Sequence, residues 1–175
     1  MLKASVFIGA SVDGFIARTD GAIDWLPEGG GEDHGYNAFI ASVDALLIGR
    51  NTFDTAMGFE AWPYGSKPVF VLTNRQLDAP PPAEAVLERI SGTPHQVVAT
   101  LEARGFRHVY VDGGNVIQQF LRAGLIQRLI ITRVPRLIGS GIPLFGPLSH
   151  DVPLRHVETT QYPSGLVTTV YAIDA

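Results

Sequence analysis

Between residues 4 and 134 two kinds of segment alternate along the chain, and this alternation restricts the fold more than any other feature. Ala4–Ala10, Ala45–Ile48, Pro68–Thr73, His108–Asp112 and Leu129–Val134 are short, apolar and rich in β-branched residues. Several are apolar at consecutive positions, the pattern of strands covered on both faces rather than on one. Segments of helical spacing lie between them. Asp33–Ser42 carries Tyr36, Phe39 and Ile40 on one face, and Asn51–Met57 follows Gly49-Arg50. Thr93–Arg104 opens with Thr93 as its cap and Pro94 at the first helical position, and Gly105 follows its end. Asn115–Ala123 aligns Val116, Phe120 and Leu121 and stops at Gly124. The C-terminus changes pattern: His156–Tyr162 and Leu166–Ile173 flank Pro163-Ser164-Gly165, a hairpin signature. The expected fold is α/β: a single three-layer domain, with a mixed, mostly parallel central sheet, helices on both faces and a C-terminal antiparallel hairpin.

Composition narrows the function. A chain of 175 residues suits one domain over 1–175. Hydrophobic residues at 46% against 17% charged exclude a disordered chain. No apolar run reaches membrane-spanning length, because Asp13 closes the first one, and that stretch lacks the basic start and cleavage site of a signal peptide. The absence of cysteine removes disulfides, thiolate metal sites and thiol nucleophiles. Seventeen acidic against 13 basic residues, with a pI near 5.7, argue against nucleic-acid or anionic-membrane partners. The cytosol is the default compartment. Pro80-Pro81-Pro82 reads as a surface loop. His34, His95, His108, His150 and His156 lack metal-ligand spacing, so no metal is expected, and no serine sits in a nucleophile elbow.

Chemistry concentrates where strands end. Val109-Tyr110-Val111-Asp112 runs into Gly113-Gly114, and a helix opens at Asn115-Val116. Two glycines admit a ligand close to the backbone, and a helix N-terminus favours an anion, although the same pair also makes a plain tight turn. Leu46-Leu47-Ile48 likewise runs into Gly49, with Arg50, Asn51 and Thr52 opening the next helix. Arg50 brings a permanent cation with a fork that fits phosphate. A third strand exit, Leu72-Thr73-Asn74-Arg75, supplies a hydroxyl, an amide and a second guanidinium. In parallel sheets such loops converge at the carboxyl ends of the strands, so three of them together read as a dinucleotide cleft.

These motifs, taken in order, resemble the dihydrofolate reductase-like superfamily. The closest branch is the reductase domain of the riboflavin-biosynthesis deaminase-reductases and its stand-alone relatives. The resemblance is carried by Ser11-Val12-Asp13-Gly14-Phe15-Ile16-Ala17, Asp24-Trp25, Leu47-Ile48-Gly49-Arg50-Asn51-Thr52-Phe53, Val71-Leu72-Thr73-Asn74-Arg75 and Val111-Asp112-Gly113-Gly114. It continues through Leu125-Ile126, Thr132 and Pro135 to Leu137-Ile138-Gly139-Ser140-Gly141-Ile142-Pro143-Leu144-Phe145, spanning nearly the whole chain.

The resemblance implies hydride transfer from NADPH to a small heterocycle or its glycosylamine, with 5-amino-6-(5-phosphoribosylamino)uracil reduction in riboflavin biosynthesis as the specific form, and a homodimer. It places Ile8, Gly9 and Ala10 at the nicotinamide and makes about Asp13 to Trp25 a mobile lid, with Ile23 and Trp25 over the substrate. It assigns Gly49, Arg50, Asn51 and Thr52 to the pyrophosphate and the 2′-phosphate region, with Thr73, Asn74 and Arg75 on the same adenosine side. Gly113, Gly114, Asn115 and Val116 meet the pyrophosphate from the other strand, and the Gly113–Gly114 peptide resembles the family's cis bond. Asp33, Asp13 and Thr132 are the candidate catalytic side chains. Asp33 falls near the carboxylate that pairs with pterin in true dihydrofolate reductases, but the plainer reading as a helix cap or first-turn residue is preferred, because His34-Gly35-Tyr36 lacks an apolar pterin wall. The alternatives are a true dihydrofolate reductase and a non-catalytic dinucleotide-binding module of the same fold.

Overall fold

Leu46, Leu47 and Ile48 are fully buried at consecutive positions, as strands with helices over both faces require. The structure, a computed structural model, describes residues 1–27, 32–77 and 82–174. In chain order the elements are β1 (Lys3–Ser11), β2 (Phe15–Ala17), α1 (Tyr36–Ser42), β3 (Ala45–Gly49), α2 (Arg50–Met57), β4 (Pro68–Leu72) and β5 (Val86–Ile90). They continue with α3 (Pro94–Ala103), β6 (His108–Asp112), α4 (Gly114–Arg122), β7 (Arg128–Val134), β8 (Ile142–Pro143), β9 (Arg155–Gln161) and β10 (Val167–Ala172). Eight strands form one sheet in the order β5-β4-β3-β6-β1-β7-β10-β9. It is parallel from β5 to β7 and antiparallel where β10 joins β7 and β9. β2 and β8 pair separately.

Side-chain alternation within each strand builds the three layers. In β3, Ala45 and Leu47 join a core with Val97 and Leu101 of α3 and Ile117 and Phe120 of α4. Leu46 and Ile48 join the opposite core, with Phe39 of α1 and Phe53 of α2. Helix α3 begins as its sequence requires: Thr93 Oγ1 accepts from Gln96 N and the Gln96 side chain accepts from Thr93 N, a reciprocal cap.

Four differences from the sequence reading have physical causes. Helix α1 starts at Tyr36, not Asp33, because His34 and Gly35 take left-handed φ values of 51° and 85°. β5 was absent from the expected strands because only Ile90 in it is buried; it is the polar edge of the sheet. β2 and β8 are too short to carry a period. The cis bond implied at Gly113–Gly114 is absent: every peptide bond among the described residues is trans, and the turn is made instead by Gly113 at φ 95°. Pro80 and Pro81 of the expected surface loop lie outside the described residues.

Candidate active site

Connectivity creates a crevice before any side chain is considered. The chain leaves β1 for β3 and moves outward through β4 and β5, and β6 later fills the position between β1 and β3. Loops leaving β1, β3 and β6 therefore diverge at their carboxyl ends, the place where open α/β sheets bind ligands. A cleft of about 640 Å³ lies there.

The two glycine junctions meet in its floor. A Cβ on Gly113 would run into Thr52 Oγ1, and one on Gly49 would sit 3.1 Å from Val116 Cγ2. The N-terminal turns of α2 and α4 are thereby brought side by side, with Arg50, Asn51 and Thr52 from one and Gly114, Asn115 and Val116 from the other on the cleft wall. Helix starts with unpartnered N–H groups and no Cβ in the approach suit an anionic diphosphate. The two arginines differ. Arg50 is committed: Nε donates to Asp54 Oδ1 at 2.8 Å and Nη1 to the Gln76 carbonyl at 2.9 Å. Arg75 lines the cleft, its backbone N–H donating to Thr73 Oγ1 at 3.1 Å. Thr73 and Asn74 themselves shape that turn and are not on the cleft wall.

The other half of the cleft is apolar. Ile8 and Gly9 of β1 contribute, whereas Ala10 is fully buried in the core. Ile16, Ala17, Gly21, Ile23 and Leu26 come from the segment after β1, and Ile142 from β8. Leu26 comes so near that a Cβ on Gly9 would lie 3.0 Å from its Cδ2. The segment is braced rather than loose: the Arg18 guanidinium spans both Asp24 oxygens, with Nη2 3.0 Å from Oδ2. Trp25 does not reach the cleft; it is buried against Val134 and Leu166 and so anchors Leu26 from behind.

The three candidate catalytic side chains lie off the cleft wall. Asp33 Oδ1 accepts from Asn37 N at 2.9 Å, capping the first turn of α1. Asp13 accepts from Gly139 N at 2.8 Å and Ile138 N at 3.3 Å, stapling the segment after β1 to the late glycine loop. A hydrogen bond from Ser11, with those two amides, holds its carboxyl below the usual range. Thr132 is buried and pairs with Thr168 across β7 and β10, Oγ1 to Oγ1 at 2.8 Å.

A carboxylate that sequence reasoning passed over stands in the cleft instead. Asp112, the last residue of β6, lines it, half-buried, with Oδ1 accepting from Gly113 N at 2.8 Å. Burial pushes its carboxyl up to about 6, against the opposing pull of the Gly113 amide. Burial and then the Asp112 charge push the hydroxyls of Tyr36 and Tyr64 upward, and Tyr110 likewise, so all three stay neutral around the acid. Tyr110 donates to the Phe7 carbonyl at 2.7 Å, and Phe7 stacks on Phe39 and meets Tyr36 edge-on. An acid closing an otherwise apolar strand, just before Gly-Gly, was the available signal.

The RibD C-terminal domain family matches residues 3–168, nearly the whole chain. The protein belongs to that family. The Bacillus subtilis protein YwjB, uncharacterised, is 33% identical over 163 residues, covering 91% of this chain and 92% of its own. A solved Shewanella sp. PV-4 structure assigned to riboflavin biosynthesis is 38% identical, with a TM-score of 0.91 over 99% of this chain and all of its own. The dihydrofolate reductase of Enterococcus faecalis, solved with NADP(H), shares the fold alone: 16% identity and a TM-score of 0.67, over 99% of this chain and 97% of its own. The chain is thus a RibD C-terminal domain with a dihydrofolate reductase-like fold. Among its described residues no helix is long and apolar enough to cross a membrane.

Proposed function

We propose that this RibD-family chain is an NADPH-dependent reductase that delivers hydride to an electrophilic C=N carbon of a small heterocycle or its glycosylamine. One observation carries the reading: Gly113 against Thr52 joins two helix N-termini into one anion cradle at the foot of a cleft whose other half is apolar and aromatic save for Asp112. The residues present fit the cofactor. The α2 and α4 starts would hold the pyrophosphate, and Arg75 would meet a 2′-phosphate while Arg50 braces the turn beside it. Bound NADPH supplies the hydride. Ile8, Gly9, Ile23 and Leu26 would line the nicotinamide end and exclude water, and positioning of that kind would be the chain's main contribution to rate. The product nitrogen takes its proton from water at the cleft mouth. One domain over 1–175 and a homodimer belong to the same reading; every residue of β9 is exposed, leaving an edge that a second copy can cover.

The test is loss of NADPH absorbance when the purified chain meets a panel of aminouracil glycosylamines and pteridines, with dihydrofolate included. The reading expects oxidation matched mole for mole by a reduced heterocycle. No oxidation with any of them, despite saturable NADPH binding, would leave a dinucleotide-binding module and overturn the catalytic claim.

A further inference from the structure

The cleft's charges are segregated. Its only lysine or arginine side chains among the described residues are Arg50 and Arg75, both from the β3 and β4 exits on the nucleotide side. The rest of the lining among the described residues carries a single carboxylate, Asp112 at the end of β6, with the Tyr64 and Tyr110 hydroxyls close enough to feel its charge. The main interaction that the structure gives Asp112 against its burial is a hydrogen bond from Gly113 N at 2.8 Å. Two arginines outside the cleft lining are engaged elsewhere: Arg18 of the segment after β1 with Asp24, and Arg133 of β7 with the Ser11 carbonyl at 3.0 Å. Residues 28–31, 78–81 and 175, outside the described set, contain no lysine, arginine or histidine.

A phosphate monoester carries nearly two negative charges near neutral pH, and a site that binds one offers guanidinium, ammonium or helix N-terminal donors. Here the two helix starts are those that would hold the cofactor, and the remaining half presents aromatic faces, aliphatic walls and a carboxylate. Such a lining favours a flat ring that stacks and offers N–H donors, and repels a phosphate. Resting on the reductase reading, we infer that the substrate is an unphosphorylated aminopyrimidine- or pteridine-type heterocycle whose N–H groups pair with Asp112. The chain therefore departs in substrate from a phosphoribosyl-using reductase while keeping its cofactor half.

The experiment uses the full wild-type chain, without and with saturating NADPH, and matched ligands: 5-amino-6-ribosylaminouracil, its 5′-phosphate, and 2,4-diaminopteridine. Calorimetry reads each dissociation constant. The inference expects the 5′-phosphate to bind no tighter than the ribosyl compound, and Asp112→Asn to weaken the pteridine at least tenfold while NADPH affinity moves less than twofold. A 5′-phosphate that binds tenfold tighter than its dephosphorylated partner overturns it, and loss of that gain in Arg18→Gln would identify the cation responsible. Unchanged pteridine binding in a folded Asp112→Asn chain also overturns it. The two readings fail separately: absent NADPH binding defeats the reductase, while the comparison made without cofactor still decides the substrate.

Discussion

At Asp112 stability and function pull in opposite directions. The folded chain holds this proton more tightly than the unfolded one, where the carboxyl has its ordinary value of 3.8, against about 6 in place. Protonation therefore favours the fold, and the cost of the buried charge grows as pH rises from about 4 to about 6 and stays constant above. Asp112→Asn should stabilise the chain by up to about 3 kcal/mol at pH 7.5 and give almost no gain at pH 4. Urea unfolding at the two pH values checks this; an equal effect at both would mean that the carboxyl is not perturbed. Gly113 makes the opposite trade. Its φ of 95° and the Thr52 hydroxyl where a Cβ would stand predict that Gly113→Ala costs about 2–3 kcal/mol. It should also weaken NADPH at least tenfold by parting the two helix starts, read by thermal melts and cofactor titration. Gly113 was legible as a ligand-approach residue, but its contact with Thr52 was not, since it joins segments far apart in sequence.

Among the elements, the central strands were legible because burial on both faces leaves consecutive apolar residues, as at Ala45–Ile48. Helix α3 was legible through its own ends, Thr93 with Pro94 at the start and Gly105 after the last turn, while the reciprocal bond from Gln96 emerged only in the structure. Thr93→Ala should cost about 1 kcal/mol in urea unfolding and leave NADPH affinity unchanged, because the capped turn serves the fold and not the cleft. Helix α1 was less legible: the left-handed His34 and Gly35 delay its start and leave Asp33 outside, reaching over to Asn37 N. Asp33→Asn, which keeps an oxygen that can accept from Asn37 N, should accordingly change stability by less than about 0.5 kcal/mol and leave any NADPH oxidation rate within twofold. A collapse of dihydrofolate turnover in that variant would instead restore the folate reading. The apolar half of the cleft was legible only in part: the resemblance placed Ile8, Gly9 and Ile23 there, whereas Leu26 and Ile142 come from a turn and a short strand without periodicity.

For the molecule as a whole, the strand order decides where chemistry can occur. Placing β6 between β1 and β3 opens the crevice, and the same insertion delivers Asp112 and Gly113 into it beside Gly49. The wall that carries Arg50 and Arg75 and the wall that carries Asp112 follow from which strands supply each. The order of motifs along the sequence pointed to this architecture, whereas the division of charge across the cleft emerges only when the strands are assembled. The most direct test of a dinucleotide cleft is titration of the full chain with NADPH, followed by tryptophan fluorescence, since Trp25 and Trp62 are both buried. The account predicts a saturable change in emission, and a dissociation constant at least tenfold weaker in Arg75→Gln while the variant's NADH affinity stays within twofold. No saturation up to millimolar NADPH would contradict it.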